Sequence, residues 1–98
     1  MNKQQRNRVQ LYSNNVLDVM FRLKNETGAL VGMQELYEAI QPFTTGNYFK
    51  VRTRLKTASK ATEAILKQVD EMQHDTFTHI LCDNLRAYVD NVRFAVEH

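Results

Sequence analysis

The chain has 98 residues, of which 43% are hydrophobic and 24% are charged, and its formal net charge is +2. This length suits a single domain with a modest core, and the hydrophobic fraction is too high for a wholly disordered chain. The one cysteine excludes an internal disulfide and no apolar run is long enough to cross a bilayer, so we expect a cytoplasmic protein without membrane contact.

The amino-terminal third predicts a helix over residues 4–24. Its apolar residues recur at helical spacing and cover a broad face, which indicates contacts on two sides. The residues of this face are Val9, Tyr12, Val16, Val19, Met20 and Leu23. Either Asn25 or Gly28 is suited to end the helix, because both tolerate the left-handed conformation.

A shorter helix is predicted over residues 33–41, with Leu36, Tyr37 and Ile40 facing inward. Pro42 is expected to end it, since proline has no N–H for the helical ladder. Thr45 or Asn47 is then the candidate cap of the next helix.

Residues 47–98 contain neither glycine nor proline. In the first part of this stretch, apolar residues recur every three or four residues along one helix face. This pattern shifts to another face near residues 74–76, which predicts two helices, 47–73 and 76–96. Asp75 or Thr76 is the candidate cap of the second. We therefore predict an all-α bundle of three to four helices over residues 1–98, with the long carboxy-terminal helices antiparallel. One continuous helix in a dimer is the alternative.

Basic residues are concentrated near the start of the third helix. Residues 1–60 carry ten Lys and Arg against four acids, whereas residues 61–98 carry three against seven. The order of helix, turn and basic helix resembles the DNA-binding helix-turn-helix unit, although the turn is longer than usual and contains proline. A solvated helix face is the competing interpretation. The candidate contacts to a nucleic acid or another anionic partner are Lys50, Arg52, Arg54, Lys56 and Lys60, with Arg6 and Arg8.

Other functional patterns are weaker. Glu71 and His74 have the spacing of a carboxylate–histidine metal pair, but a complete site needs a second pair that the chain does not offer. Cys82 shares a helix face with apolar neighbours, as a buried structural cysteine does. We predict no catalytic residue, metal, cofactor or small-molecule substrate.

The last predicted helix carries more apolar residues than one face can hold, which indicates a partner. The residues expected at such an interface are Leu81, Leu85, Tyr88, Val89, Val92 and Phe94. The sequence thus predicts a non-enzymatic regulator, adaptor or inhibitor that binds a macromolecular partner, with a homodimer as the favoured assembly. A nucleic-acid-binding transcriptional regulator that uses residues 47–60 is the alternative.

Overall fold

Four α-helices and no strand make up the computed structural model, which describes all 98 residues. They are α1 (Lys3–Thr27), α2 (Met33–Thr44), α3 (Val51–Asp70) and α4 (Thr76–Glu97). The predicted all-α bundle is confirmed, with the larger of the two predicted helix numbers.

Consecutive helices run in opposite directions around a ring. The side chain of Tyr48, just after α2, donates to the Arg6 carbonyl near the start of α1 at 3.1 Å. The start of α2 meets the end of α3, where the Val31 N–H donates to Gln68 Oε1 at 3.0 Å. Gln5 near the start of α1 donates to the Ala95 carbonyl near the end of α4 at 3.4 Å. This up-down-up-down order places the starts of α1 and α3 and the end of α4 in the same half of the bundle.

The start of α1 is held by reciprocal hydrogen bonds. Asn2 Oδ1 accepts from the Gln5 N–H at 2.8 Å, and Gln5 Oε1 accepts from the Asn2 N–H at 3.1 Å. This capping box satisfies amides that have no partner inside the helix. The helix continues through Thr27, beyond the predicted end at residue 24, and stops at Gly28, whose φ of +82° suits glycine.

Pro42 does not end α2, which continues to Thr44, so the predicted end at residue 41 was wrong. Proline has no N–H to give the carbonyl of Glu38, four residues earlier. Arg54 Nη1 of α3 donates to that carbonyl at 3.1 Å instead. A side chain from another helix therefore satisfies the group that the proline leaves without a helical donor.

The start of α3 also differs from the prediction. The helix begins at Val51, after Lys50 with a φ of +52°, and no side chain caps it. Thr45 donates to the Pro42 carbonyl, while Asn47 Oδ1 accepts from the Phe49 N–H at 3.1 Å. Both side chains stabilise the connecting turn, and neither is the cap because α3 begins at Val51 with Lys50 at the cap position.

The predicted break between the last two helices is confirmed at residues 71–75. Asp75 caps α4, and its Oδ1 accepts from the Thr78 N–H at 2.9 Å. Hydrogen bonds from Thr78 favour the ionised carboxylate and lower the pKa of Asp75 below its usual value. α3 ends at Asp70, a few residues before the predicted end at 73.

The core contains 22 buried apolar residues, and all four helices contribute to it. Leu23, Phe43, Ile65 and Leu85, one from each helix, have no exposed surface. Burial of each such side chain contributes about 1.5–3 kcal/mol before the entropy cost of folding. None of the four helices has both the length and the apolar composition needed to span a bilayer.

Candidate basic groove

The basic residues of α3 lie along two flanks of the helix. Lys50 and Arg54 are on the flank that meets α2, together with Glu35 and Glu38. Arg52, Lys56 and Lys60 are on the flank that meets α4. The spacing of four residues predicted both lines, but only the packing of α3 between two neighbours shows that they belong to different surfaces.

Arg54 is occupied within the fold. Its Nη1 donates to the Glu38 carbonyl at 3.1 Å and its Nε to the Phe49 carbonyl at 3.0 Å. Guanidinium groups suit such paired contacts, since they present several donors in a rigid plane. Lys50 Nζ lies 5.3 Å from the centre of the Phe49 ring, within the range of a cation–π contact. The contacts of Arg54 and Lys50 therefore link this flank of α3 to α2 and to the turn between the two helices.

The other flank forms an open groove with α4, of about 500 Å³. We call it the basic groove. Its lining consists of Arg52, Leu55, Lys56, Ser59, Lys60, Arg93, Val96 and Glu97. Four cations therefore face one acid. Leu55 and Val96 are almost fully buried, so the exposed side chains that line the groove are the charged ones.

Few acidic side chains of the chain neutralise the cations of the basic groove. Arg52, Lys56 and Lys60 take part in none of the three ion pairs of the structure. Arg93 Nη1 lies 3.8 Å from Asp90 Oδ1, a long contact that is exposed on both sides and worth little in water. The groove thus retains a positive field that can attract an anionic ligand.

Ser59 adds a polar group at the wall of the groove. Its hydroxyl is buried and has no hydrogen-bond partner in the chain. Buried polar groups are nearly always satisfied, by protein or by water, so this hydroxyl is an exception that the chain itself leaves unsatisfied.

Arg93 was missed at the sequence level. It is isolated on α4 between Asp90 and Glu97, and no local pattern distinguishes it from a solvated surface residue. It joins the α3 cations only because α3 and α4 run antiparallel. Conversely, Arg6 and Arg8 lie on α1, in the same half of the bundle as the groove but outside its lining.

The helix-turn-helix interpretation does not fit the packing of α2 and α3. In that unit the two helices cross at about 90–120°. Here Glu38 in the middle of α2 contacts Arg54, and Val31, two residues before α2, contacts Gln68. These contacts lie about 21 Å apart along α3. Because α2 runs beside α3, the pair is an antiparallel helical hairpin.

The predicted self-association surface needs correction. Leu81, Leu85, Val89 and Val92 are at most 3% exposed and belong to the core of this chain, and Tyr88 is half-buried against it. Phe94 is 65% exposed. Four of the six residues are therefore unavailable to a partner, because α1 and α3 cover the face of α4 that carries them.

The remaining candidate side chains show no metal-binding arrangement. Glu71 and His74 fall in the loop after α3, so the expected helical pairing is lost, and no three His, Cys, Asp or Glu residues form a metal-binding group. Burial raises the pKa of the Cys82 thiol, and the carboxylates of Asp70 and Asp83 raise it further. A raised pKa leaves less of the nucleophilic thiolate at neutral pH.

Comparisons with protein-family models, curated proteins and solved structures find no significant match to this chain, so only its own sequence and geometry bear on its function.

Proposed function

We propose that this chain is a non-enzymatic binding protein, a regulator, adaptor or inhibitor, whose basic groove receives an anionic stretch of a macromolecular partner. The observation that carries the proposal is the row Arg52, Lys56 and Lys60, which has no ion pair within the chain and is joined by Arg93 across the groove. The groove replaces the buried face of α4 as the expected contact surface.

The mechanism is electrostatic attraction followed by close contact along α3. Three cations spaced by four residues repeat about every 6 Å along the helix. An extended acidic segment or a phosphate backbone can place one negative group near each of them. Such contacts mainly raise the rate of association and select the partner.

Nucleic acid is the alternative partner, and the openness and charge of the groove favour it. Four phosphate contacts would give a slope of about −3.6 with duplex DNA, or about −2.8 with single strands, in a plot of log K against log salt concentration. The hairpin of α2 and α3 implies contact with phosphates and not insertion of a recognition helix, so we expect binding with little dependence on base sequence.

Fluorescence anisotropy can test the groove and distinguish the two partner classes. Labelled 20-residue acidic peptides and labelled single- and double-stranded oligonucleotides are titrated with the protein at several salt concentrations. Arg52→Gln with Lys56→Gln should weaken binding of the true ligand class by about tenfold, since two lost charge contacts worth about 0.7 kcal/mol each sum to about 1.4 kcal/mol.

Lys67→Gln is the matched control, because Lys67 is exposed on the same helix but lies about 10 Å beyond Lys60 and outside the lining of the groove. It should leave the affinity within a factor of about two. Equal binding by the double variant and the wild type would exclude the groove. The same pair of variants serves in affinity capture from the native host, and cell fractionation checks the predicted cytoplasmic location.

A further inference from the structure

An exposed seam follows the side of α4 that faces away from the bundle. Its residues recur with spacings of four, three, four and three, and they are Ile80, Asn84, Ala87, Asn91 and Phe94. Ile80 is 47% and Phe94 65% exposed. This spacing is the one by which helices pair along a continuous stripe. We call these five residues the α4 seam.

The α4 seam is symmetric about Ala87. Ile80 and Phe94 each lie seven residues from it, with an asparagine between on either side. A two-fold axis through Ala87 and perpendicular to the helix would place Ile80 against Phe94 of a second copy. Asn84, three residues before Ala87, would lie within about 1.5 Å of the level of the second copy's Asn91, which is four residues after it. The small side chain of Ala87 at the axis permits close approach of the helices, and asparagine in such a seam specifies register.

α1 extends the same surface. Gln5 of α1 contacts the Ala95 carbonyl of α4, and the two helices run antiparallel. Counting eight residues along each helix from this contact places residue 13 level with Ala87. Leu11, 57% exposed, is therefore close to the axis. The same two-fold places Asp18, which is paired with Arg22 within the chain, level with Arg8 of the second copy.

The distribution of charge selects the antiparallel orientation. The half of the bundle with the starts of α1 and α3 and the end of α4 carries nine of the thirteen Lys and Arg residues and four of the eleven acids, which are Glu35, Glu38, Asp90 and Glu97. The nine cations are Lys3, Arg6, Arg8, Lys50, Arg52, Arg54, Lys56, Lys60 and Arg93. Antiparallel pairing sets this basic half beside the acidic half of the second copy, whereas parallel pairing would bring two basic halves together.

We propose that this chain forms an antiparallel homodimer through the α4 seam, with the two-fold axis at Ala87. The occupant of this surface is thus a second copy of the chain. Arg93 lines the basic groove beside α3, while Phe94 is exposed on the other side of α4, so both grooves stay open in the dimer. The inference is independent of what the groove binds.

Disulfide trapping tests both the contact and its orientation. In a Cys82→Ala background, Ala87→Cys should give a covalent dimer under mild oxidation, because only a residue at the axis brings its own copy within about 7 Å. Ile80→Cys alone should not cross-link, but a mixture of the Ile80→Cys and Phe94→Cys proteins should. Self-cross-linking by Ile80→Cys, or none by Ala87→Cys, would overturn the proposal.

Light scattering over a concentration series gives a second readout that needs no new cysteine. Ala87→Glu places two like charges at the axis and should raise the dissociation constant of the dimer by at least about tenfold. Thr57→Glu on the exposed surface of α3 is the matched control and should leave it unchanged. A monomeric wild type at millimolar concentration, or equal effects of both substitutions, would refute the seam.

Discussion

Replacement of Gly32 by alanine tests the close packing of the start of α2 on α3. Gly32 has a φ of +100°, and a Cβ added there would lie 2.8 Å from the Ala61 carbonyl oxygen and 3.3 Å from Ile65 Cγ1. The backbone strain costs about 1–3 kcal/mol. Overpacking against a helix backbone adds about 1–3 kcal/mol. We therefore expect Gly32→Ala to lower the free energy of unfolding by about 2–6 kcal/mol.

Urea denaturation followed by far-ultraviolet circular dichroism measures this loss. Gly28→Ala is the control, because Gly28 also has a positive φ of +82° but a Cβ there would meet nothing within 4 Å. We expect Gly28→Ala to lower the free energy of unfolding by the backbone strain alone, about 1–3 kcal/mol. If the two variants lose the same stability, the contact of Gly32 with α3 has no energetic weight and the reasoning fails.

Three further predictions concern the correction of the α4 surface, the role of Arg54 and the thiol. Leu85→Ala should destabilise the fold by about 2–5 kcal/mol in the same denaturation assay, whereas Phe94→Ala should change the free energy of unfolding of the monomer by less than about 0.5 kcal/mol. Arg54→Met should cost about 1–3 kcal/mol, because the carbonyl that Pro42 leaves free loses its donor. Alkylation of Cys82 should show a pH midpoint above that of a free thiol, since burial and nearby carboxylates disfavour the thiolate.

Each of these has a contrary outcome. If Leu85→Ala is as stable as the wild type, Leu85 does not contribute to the core. Arg52→Met is the control for Arg54→Met, because the side chain of Arg52 makes no hydrogen bond in the chain. Replacing Asp83 by asparagine removes a negative charge near the thiol, so it should lower the midpoint of Cys82 alkylation. If the midpoint does not change, the Asp83 carboxylate does not affect the pKa of the Cys82 thiol.

The number of helices and the break near residue 75 could be predicted because both are local properties of the chain. Apolar spacing of three and four marks a helix, and a slip in that spacing marks its end. Asp75 was one of two candidate caps, with Thr76, because a carboxylate can accept a bond from an amide a few residues later, as it does from Thr78. The basic line Arg52, Lys56 and Lys60 was likewise visible as an i, i+4 pattern.

Three features depended on contacts between distant residues. Pro42 is tolerated inside α2 because Arg54, twelve residues later, supplies a donor to the carbonyl of Glu38. Arg93 reaches the basic groove because α4 runs antiparallel to α3. Leu85 belongs to the core because the other helices cover it.

The sequence by itself determined the helices and the uneven charge, since periodicity, caps and composition act over a few residues. Only the tertiary structure decided which flank of α3 is open and which apolar residues of α4 remain exposed. The physical reason is that burial and charge neutralisation depend on which helices become neighbours, and no local pattern in this chain specifies that order.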